Sequence, residues 1–244
     1  MLDGLKIFIT GGSRGLGRAF ARVFGSYGAL VAFSYSSSED QANKALGELK
    51  ENGVEALAYR GSVSDEEAMD GICSDIEDRW GGIDVLVNNA AISQPLPFPL
   101  IDPEDWEQVL NTNLTGLFLT SRVFLRGMIR KKRGVILNIG SLVGERIMES
   151  PLHYSTSKAA LSGFTRSLAK EMGRYNIRVN CLAPGLLDDG LGKNLSEHKV
   201  RDYMEHTVFG RLVTCDEVAE LAAFLVSPMN EYMTGHTMII DGGI

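Results

Sequence analysis

Tyr154 and Lys158 are four residues apart, and together they could transfer a proton. Residues at this spacing lie one above the other on the same face of an α-helix, so the phenol and the ammonium group could point into one pocket. A free phenol titrates near pH 10. A cation beside it stabilises the phenolate and lowers the pKa of the phenol, which makes the tyrosine a usable proton donor and acceptor. The same spacing also fits a phenol packed at the edge of a core beside a solvated lysine, so the rest of the chain must decide.

A glycine-rich turn near the start of the chain could bind a dinucleotide. The stretch TGGSRGLG, Thr10–Gly17, follows an apolar run and begins a helical pattern, which is the context that such a site needs. Gly11 permits a tight turn, Gly15 lets the backbone approach a pyrophosphate, and Gly17 allows close packing of helix on strand. The helix N-terminus offers unpaired N–H groups to the phosphates. The alternative is a glycine-rich turn that binds no ligand.

The end of the second predicted strand indicates which dinucleotide is preferred. A site for NAD has an acid there to bind the ribose 2′-hydroxyl, but the segment FSYSS at 33–37 has none. Glu39–Asp40 come later and suit the first turn of a helix. Arg14 could meet a 2′-phosphate, and Ser34 and Ser36 could donate hydrogen bonds to it. The sequence therefore predicts NADPH as the cofactor, the alternative being a merely solvated Arg14.

Strands and helices alternate along the whole chain. Apolar runs predict strands at Lys6–Thr10, Leu30–Tyr35, Val54–Tyr59, Ile83–Asn88, Val135–Ile139, Ile177–Leu182 and Met238–Ile240. Helical patterns cover Gly15–Tyr27, the stretch after Ser38, Asp65–Trp80, Asp102 to about Lys132, the stretch around Tyr154, and Asp216–Val226. Ser38 and Gln41 predict a capping box, and Asp102 with Pro103 predicts the start of one long helix.

This order predicts an α/β fold: a single Rossmann-type, doubly wound parallel sheet of about seven strands with helices on both faces. Ligands then bind at the carboxyl ends of the strands. No linker or internal repeat divides the chain, so residues 1–244 are predicted to form one NAD(P)-binding domain, with 186–211 as a substrate lid.

Composition excludes several classes of function. The 244 residues are 44% apolar and 23% charged, with 24 basic and 31 acidic residues and a net charge of -7. This acidic balance argues against a partner such as nucleic acid or a membrane surface. Cys73, Cys181 and Cys215 have no metal-ligand spacing, so we expect free thiols in a reducing compartment and no metal. The N-terminus enters a strand at once and predicts no signal peptide. We expect a cytoplasmic protein.

Six motifs, in order, resemble those of the short-chain dehydrogenase/reductase family over essentially the whole chain. They are TGGSRGLG at 10–17, NNAA at 88–91, Asn113 in LNTNLTG, Ser141 in NIGS, the Tyr154/Lys158 pair, and APG at 183–185. Within that family the chain looks most like the β-ketoacyl-[acyl-carrier-protein] reductases, including its ending GHTMIIDGG.

The resemblance implies a role for each motif residue. Ser141 would bind the substrate carbonyl, and Tyr154 would donate the proton while the nicotinamide delivers hydride. Lys158 would bind the nicotinamide ribose and lower the pKa of the tyrosine. Asn113 would hold a water that replaces the proton, unless it satisfies a local backbone kink. The implied cofactor-binding residues are Gly11, Ser13, Arg14, Gly15, Leu16, Gly17, Ser34, Tyr35, Ser36, Ser62, Val63, Asn89, Ala90, Ala91, Tyr154, Lys158, Pro184, Gly185 and Leu187, and Asn88 would lie against the adenosine half with Ala90.

Three positions depart from the family pattern. Ala91 stands where the family usually has Gly, Ser62 where it usually has Asp, and Asp189 where a Thr commonly meets the carboxamide. Ala91 would narrow the space beside the cofactor, and Ser62 would weaken adenine recognition. The Asp189 carboxylate would repel phosphates or point to solvent. Together they suggest a specialised relative rather than the housekeeping enzyme.

Substrate and partner are predicted from the residues around the site. The cleft should be lined by 93–98, 142–152 and 186–209, and its apolar members suit an acyl chain or, alternatively, pack under a lid. Those members are Leu142, Val143, Ile147, Met148, Leu186, Leu187 and Met204. The resemblance implies that an acidic acyl carrier protein docks on Arg130, Lys132, Arg133 and Arg174, although cations also suit a helix C-terminus. It also implies a homotetramer built on the long helix, the Tyr154 helix and the last strand.

The leading hypothesis is NADPH-dependent reduction of a β-ketoacyl thioester in fatty-acid or specialised polyketide/polyene-type biosynthesis. An alcohol, polyol or steroid-type dehydrogenase with the same catalytic residues is the nearest alternative. A non-catalytic NADP(H)-binding protein is a third, and the intact set Asn113, Ser141, Tyr154 and Lys158 argues against it.

Overall fold

A computed structural model describes residues 1–190 and 195–244. Its centre is a seven-stranded, fully parallel sheet with the strand order β3-β2-β1-β4-β5-β6-β7. The strands are β1 Lys6–Ile9, β2 Leu30–Tyr35, β3 Ala56–Arg60, β4 Val85–Asn88, β5 Gly134–Ile139, β6 Ile177–Pro184 and β7 Thr237–Ile240. The predicted doubly wound Rossmann-type sheet is confirmed, and each predicted strand is present to within two residues at either end.

Helices connect the strands. They are α1 Gly15–Ser26, α2 Glu39–Glu51, α3 Glu66–Trp80, α4 Pro103–Leu110, α5 Gly116–Lys131, α6 Leu152–Met172, α7 Glu197–His206 and α8 Cys215–Val226. Short 3-10 turns lie at Phe98–Leu100, Leu142–Gly144 and Gly173–Tyr175. Among the described helices, none is long and apolar enough to cross a membrane. Residues 191–194 of the predicted lid lie outside the described residues.

The strands are nearly continuous apolar runs because both faces of the sheet are covered. In β1, Ile7 and Ile9 belong to the hydrophobic layer under α1 and α8. Phe8 points to the opposite layer, which α3 and α5 cover. It stacks on Phe124 of α5 with the ring centroids 4.6 Å apart. The two layers hold the sheet rigid, so the loops at the carboxyl ends of its strands start from fixed positions.

The predicted capping box at Ser38 is wrong, although α2 begins at the next residue as expected. The Ser38 side chain makes no capping hydrogen bond, and its ψ is 74°. At two helix starts that are capped, Asp65 and Thr214, the backbone is extended and the side chain accepts an N–H three residues on. The backbone of Ser38 lacks this extended conformation.

The long helix predicted from Asp102 to about Lys132 is interrupted. A π-turn at Asn111–Thr115 separates α4 from α5, and the N–H of Gly116 bonds to the carbonyl of Asn111. Such a single turn with i to i+5 bonds is common at functional sites. The backbone stays in the right-handed helical region at Leu110, Thr115 and Gly116. The apolar periodicity therefore continues, and the sequence pattern does not reveal the break.

Candidate active site

One large cleft of about 2190 Å³ opens at the carboxyl ends of the strands, where the strand order reverses between β1 and β4. Every residue predicted to bind the cofactor lines it, except Asn88. Ser141, Tyr154 and Lys158 line it too, whereas Asn113 is buried behind its wall. The structure therefore brings the predicted cofactor residues and three of the four predicted catalytic side chains to one surface.

The glycine turn has the geometry that a phosphate cradle requires. Gly11 and Gly15 have φ values of 68° and 51°, which favour glycine. A Cβ on Gly17 would lie 2.2 Å from the carbonyl oxygen of Gly11. α1 then begins at Gly15 with no side-chain cap and no acid in its first turn. Its N-terminal N–H groups and positive dipole end suit the phosphates of a dinucleotide.

A second turn, after β4, is hydrogen-bonded to the glycine turn. The hydroxyl of Thr10 accepts the N–H groups of Asn89 at 3.0 Å and Ala90 at 2.9 Å. The Asn89 amide donates to the carbonyls of Thr10 at 2.9 Å and Gly11 at 3.1 Å. Sequence reasoning missed this role of Thr10, although its place at the end of β1 could have indicated it.

Asn88 does not lie against the cofactor site, so that expectation is wrong. It is 4% exposed and lies within the sheet, where its amide donates to Ser121 and to Asn138, each at 2.9 Å. Asn138 is its register partner on β5. The alternation of strand residues turns Asn88 inward, and the next residue, Asn89, reaches the cleft instead.

The residues predicted to choose the cofactor lie at one end of the cleft. Arg14 and Ser36 are exposed there, whereas Ser34 is 1% exposed and only borders the wall. Ser62 is exposed, and its hydroxyl accepts the N–H of Ser64 at 3.3 Å. Lys44 of α2 also lines this end, which sequence reasoning did not foresee.

Lys158 is held rigidly next to the tyrosine. It is 4% exposed, and its Nζ donates to the carbonyl of Ile139 at 2.7 Å. Nζ lies 5.8 Å from the centre of the Tyr154 ring. Burial lowers the pKa of Lys158 to about 8, an effect that Cys181 opposes. At neutral pH this lysine is still mostly a cation.

The expected lowering of the Tyr154 pKa is wrong in this structure. Burial raises that pKa, and a hydrogen bond with Ser141 acts in the opposite direction. The desolvation of a phenolate disfavours the charged form. Tyr154 is therefore a neutral phenol at physiological pH, and the neutral form is the one that can donate a proton to a developing alkoxide.

Asn113 lies in the π-turn and ties two elements together. Its side-chain oxygen accepts the N–H of Ile92 at 2.8 Å, and its amide donates to the carbonyl of Ile92 at 2.9 Å and to Ser157 Oγ at 3.0 Å. Ser157 in turn donates to the carbonyl of Tyr154 at 2.7 Å. The side chain bonds to a neighbouring loop and to α6 rather than to its own helix, so the alternative of a locally satisfied kink does not describe it.

The lid side of the cleft is anchored by a residue that the sequence did not single out. The hydroxyl of Tyr203 on α7 accepts the N–H of Leu186 at 3.1 Å. A Cβ on Gly185 would lie 2.1 Å from that hydroxyl, which explains the glycine after Pro184. The predicted apolar wall is present except for Met204, which does not line the cleft because it lies on another face of α7.

All three departures line the cleft, with Ser62 at the same end as Arg14. Ala91 lines the cleft and is partly exposed. Asp189 lines it as well, with its Oδ1 accepting the N–H of Gly190 at 2.6 Å. A Cβ on Gly15 would lie 3.3 Å from the Cα of Gly190, so this loop passes directly over the glycine turn. The carboxylate is therefore held near the place where phosphates would bind.

The four basic residues predicted to dock a carrier protein lie far from the cleft. Arg130, Lys132 and Arg133 are at the end of α5 and before β5, and Arg174 follows α6. Tyr154 and Arg174 are at opposite ends of α6, whose 21 residues span about 30 Å. Arg130 pairs with Glu77 at 2.5 Å and Arg133 with Asp84 at 2.7 Å. The cluster is at the amino ends of the strands, so within one chain it does not border the substrate entrance.

Comparison with known proteins agrees with this geometry. Residues 11–244 match the family model described as enoyl-(acyl carrier protein) reductase. The chain is 35% identical over 243 residues to the 3-oxoacyl-[acyl-carrier-protein] reductase FabG of Vibrio cholerae, covering 100% of this chain and 98% of the relative. It is 38% identical over 243 residues to the enzyme of the same name from Aquifex aeolicus, with the same coverage.

Solved structures share the fold closely. A 3-oxoacyl-[acyl-carrier protein] reductase from Brucella melitensis with bound NAD has a TM-score of 0.90 and 32% identity, covering 99% of this chain and 91% of that chain. A gluconate 5-dehydrogenase from Burkholderia cenocepacia, in complex with NADP and tartrate, has a TM-score of 0.93 and 30% identity, covering 99% and 95%. Proteins similar to this chain thus bind either nicotinamide cofactor.

Proposed function

We propose that this chain, which belongs to the short-chain dehydrogenase/reductase family, reduces a β-ketoacyl thioester to the β-hydroxyacyl product with NADPH. It is an NAD(P)-dependent oxidoreductase, and the relatives from Vibrio cholerae and Aquifex aeolicus are 3-oxoacyl-[acyl-carrier-protein] reductases. The observation that carries the proposal is the convergence of Ser141, Tyr154 and Lys158 on the cleft that also contains the glycine turn.

Each of these side chains has a task in carbonyl reduction. A bound nicotinamide cofactor supplies the hydride. Ser141 donates a hydrogen bond to the carbonyl oxygen and stabilises the negative charge that develops there. Tyr154 donates its phenolic proton to that oxygen. The Lys158 cation stabilises the phenolate that remains, and its position is fixed by the Ile139 carbonyl.

Asn113 supports this set from behind the wall. Because its side-chain groups are bonded to Ile92 and Ser157, it holds the loop after β4 and the catalytic helix α6 in one arrangement. We propose that a water that returns the proton to Tyr154 binds at this π-turn, where a backbone with i to i+5 bonding differs from that of a regular helix.

NADPH is the proposed cofactor because the adenosine end of the cleft has cations and hydroxyls where an NAD site has a carboxylate. Arg14, Lys44 and Ser36 line that end, and β2 ends in Tyr35 without an acid. A guanidinium group can bind a 2′-phosphate through two parallel hydrogen bonds. The phosphates themselves would lie against the start of α1.

We propose an acyl carrier protein as the partner that delivers the substrate. The basic cluster Arg130, Lys132, Arg133 and Arg174 was the predicted docking surface. It lies at the amino ends of the strands, whereas Tyr154 lies at their carboxyl ends. The double variant Lys132→Glu with Arg174→Glu avoids the two arginines that form ion pairs. Because of the distance, we expect turnover of carrier-bound substrate to change little, and a large rise in KM for that substrate alone would restore docking at this cluster.

The predicted homotetramer also remains a proposal. Phe118 on α5 and Met229 and Tyr232 before β7 are large apolar side chains exposed by 45%, 71% and 99%. Phe118 belongs to one of the surfaces on which assembly was predicted, and the other two residues lie in the loop that leads into another. Light scattering with size-exclusion chromatography measures the number of chains, and a monomer at assay concentration would contradict the tetramer.

A polyol dehydrogenase is the second candidate, because a gluconate 5-dehydrogenase is among the structures most similar in fold. The two activities share the catalytic residues and differ in the substrate wall. The wall here contains the exposed apolar side chain of Ile147 together with Leu186 and Leu187, which suits an acyl chain better than a polyhydroxylated one.

The test follows the absorbance of NADPH, and then of NADH, with four substrates: acetoacetyl thioester on carrier protein, the same thioester free of carrier, a simple ketone, and a keto-sugar acid. Rapid loss of NADPH with the thioesters supports the proposal. Turnover of the ketone or the keto-sugar acid alone would assign the chain to the dehydrogenase candidate while leaving the chemistry of the cleft unchanged.

A further inference from the structure

His153, the residue directly before Tyr154, is a fully buried histidine that the proposed reaction does not use. Its Nε2 lies 3.1 Å from Oε1 of Gln94. The amide of Gln94 donates to Oε1 of Gln108 on α4 at 2.9 Å. On the other side of the ring, Nδ1 accepts the backbone N–H of Tyr154 at 3.0 Å. The imidazole therefore has a hydrogen-bonding partner on each nitrogen.

The donors and acceptors in this series of hydrogen bonds agree with a single arrangement of protons. Nδ1 accepts a backbone N–H, so it carries no proton, and the proton of a neutral imidazole is then on Nε2. Nε2–H donates to the carbonyl of Gln94, which leaves the Gln94 amide to donate to Gln108. A protonated imidazole would turn an N–H group toward the N–H of Tyr154. All of these hydrogen bonds therefore form together only when His153 is neutral.

Gln94 belongs to a wall of the substrate cleft. Residues 91–93 and 95–98 line the cleft, and Pro95 and Pro97 restrict the conformations of this segment. Ile92, near its start, is bonded to α6 through Asn113 and Ser157. Gln94 is bonded to α6 through His153. These two polar links therefore join the wall to the catalytic helix on either side of Tyr154 in sequence.

We propose that His153 is a positioning residue: through Gln94 it holds the proline-containing wall 92–98 at the distance from Tyr154 that the acyl substrate requires. When the imidazole is protonated, its Nδ1–H meets the N–H of Tyr154, and the ring moves away together with the wall that is bonded to its Nε2–H. The inference rests on the proposed function, because the β-ketoacyl substrate is the molecule that the wall would contact. His153 itself does not touch the reacting atoms.

The charges around His153 favour the neutral state. Burial lowers its pKa below the ordinary histidine value, and the carboxylate of Asp105 on α4 opposes this effect. The wall presents the uncharged Gln94, and α6 presents a backbone N–H. Protonation therefore belongs to acid pH. There the ring would lose its bond to the N–H of Tyr154 and shift together with the wall, while the fold, which depends on the sheet, persists.

Two variants separate positioning from a merely structural role. His153→Asn keeps an oxygen that can accept the Tyr154 N–H but is too short to reach Gln94. It should raise KM for the acyl substrate about 2- to 10-fold, the range that a single hydrogen bond contributes, with kcat and NADPH binding unchanged. Gln94→Glu places a carboxylate beside Nε2 and raises the pKa of His153.

The pH profile of KM, measured from about pH 5 to 8, is the decisive kinetic readout. In the wild type KM should rise toward acid pH. In Gln94→Glu this rise should begin at a higher pH, and in His153→Asn it should be absent. If KM rises in the same way at acid pH in all three proteins, the proposal is overturned, because the rise then does not depend on the protonation of His153.

Hydrogen exchange of residues 92–100 tests the link without any substrate. Exchange should be faster in His153→Asn than in the wild type at neutral pH. The matched control is His236→Asn, an exposed histidine whose Nδ1 faces the carbonyl of Thr234, and it should leave the segment unchanged. Unchanged exchange in His153→Asn would overturn the positioning role. Faster exchange in a protein that reduces no thioester would instead contradict the proposed function alone.

Discussion

Replacing Gly17 by alanine tests how the glycine turn is built. The new Cβ would lie 2.2 Å from the carbonyl oxygen of Gly11 and 2.6 Å from Nδ2 of Asn89. Neither neighbour can easily move, since that Nδ2 already donates to the carbonyls of Thr10 and Gly11. The turn must therefore shift to admit one methyl group.

Two opposing contributions set the change in the free energy of unfolding of Gly17→Ala. Alanine is better than glycine in a helix by about 1 kcal/mol. Overpacking a close-packed site typically costs about 1–3 kcal/mol, and contact with a backbone oxygen places Gly17→Ala at the upper end. We expect the free energy of unfolding to fall by about 1–2 kcal/mol as the balance of these two terms. NADPH binding should weaken at least about 10-fold, because a distorted turn misplaces the N–H groups that meet the phosphates.

Gly47→Ala is the matched control. It makes the same chemical change inside α2, where nothing lies within 4 Å of the new Cβ. It should raise the free energy of unfolding by about 0.5–1 kcal/mol and leave NADPH binding as it is. Urea denaturation and fluorescence titration with NADPH measure both quantities. If the two variants gain stability alike, or if Gly17→Ala binds NADPH as tightly as the wild type, the reasoning about the turn is refuted.

Three further substitutions test the electrostatics of the cleft. Lys158→Met should abolish reduction yet raise the free energy of unfolding at neutral pH by about 1–3 kcal/mol, since it removes a buried cation. Between pH 8 and 10.5 the lysine of the folded wild type is neutral while that of the unfolded chain still binds a proton, so the wild type becomes more stable as the pH rises. Denaturation at several pH values should therefore show the advantage of the variant shrinking over this range. Asp189→Asn should tighten NADPH binding about 2- to 5-fold at low salt and less at high salt. If the Kd of NADPH is the same as in the wild type at both salt concentrations, the carboxylate does not lie near the phosphates. Arg14→Ala should raise the Kd of NADPH about 10-fold with little effect on NADH, and an equal effect on both would contradict 2′-phosphate recognition.

The architecture and most of the site could be predicted because they follow local rules. Residues at the ends of parallel strands meet at one edge of a sheet, so a motif that ends β1 and another that ends β5 had to share a cleft. Ser141 and the Tyr154 helix follow the same strand. The order of the motifs therefore predicted their convergence.

What the sequence did not reveal depends on contacts between distant segments. His153 and Gln94 are 59 residues apart, and only the folded chain shows that they bond. Tyr203 meets Leu186 across the lid in the same way. Asn88 and Asn89 could not be told apart without the register of β4, which turns one inward and the other toward the cleft.

The direction of the Tyr154 pKa could not be read from its spacing to Lys158. Spacing on a helix shows that two side chains share a face, but it does not report how much water surrounds them. In the structure the desolvation of the phenol is the largest influence on its pKa, and Lys158 Nζ lies 5.8 Å from the ring centre and bonds to Ile139. Burial thus decides a property that the motif alone attributed to charge.

The most direct test of the account measures single-turnover oxidation of NADPH with acetoacetyl thioester in the wild type and in Tyr154→Phe. Titration of the same samples with NADPH gives the Kd. If Tyr154 donates the proton, the variant should lose at least about 100-fold in rate while the Kd stays the same, because phenylalanine keeps the ring and removes only the hydroxyl. Reduction at the wild-type rate by Tyr154→Phe would contradict the assignment of this tyrosine as the proton donor.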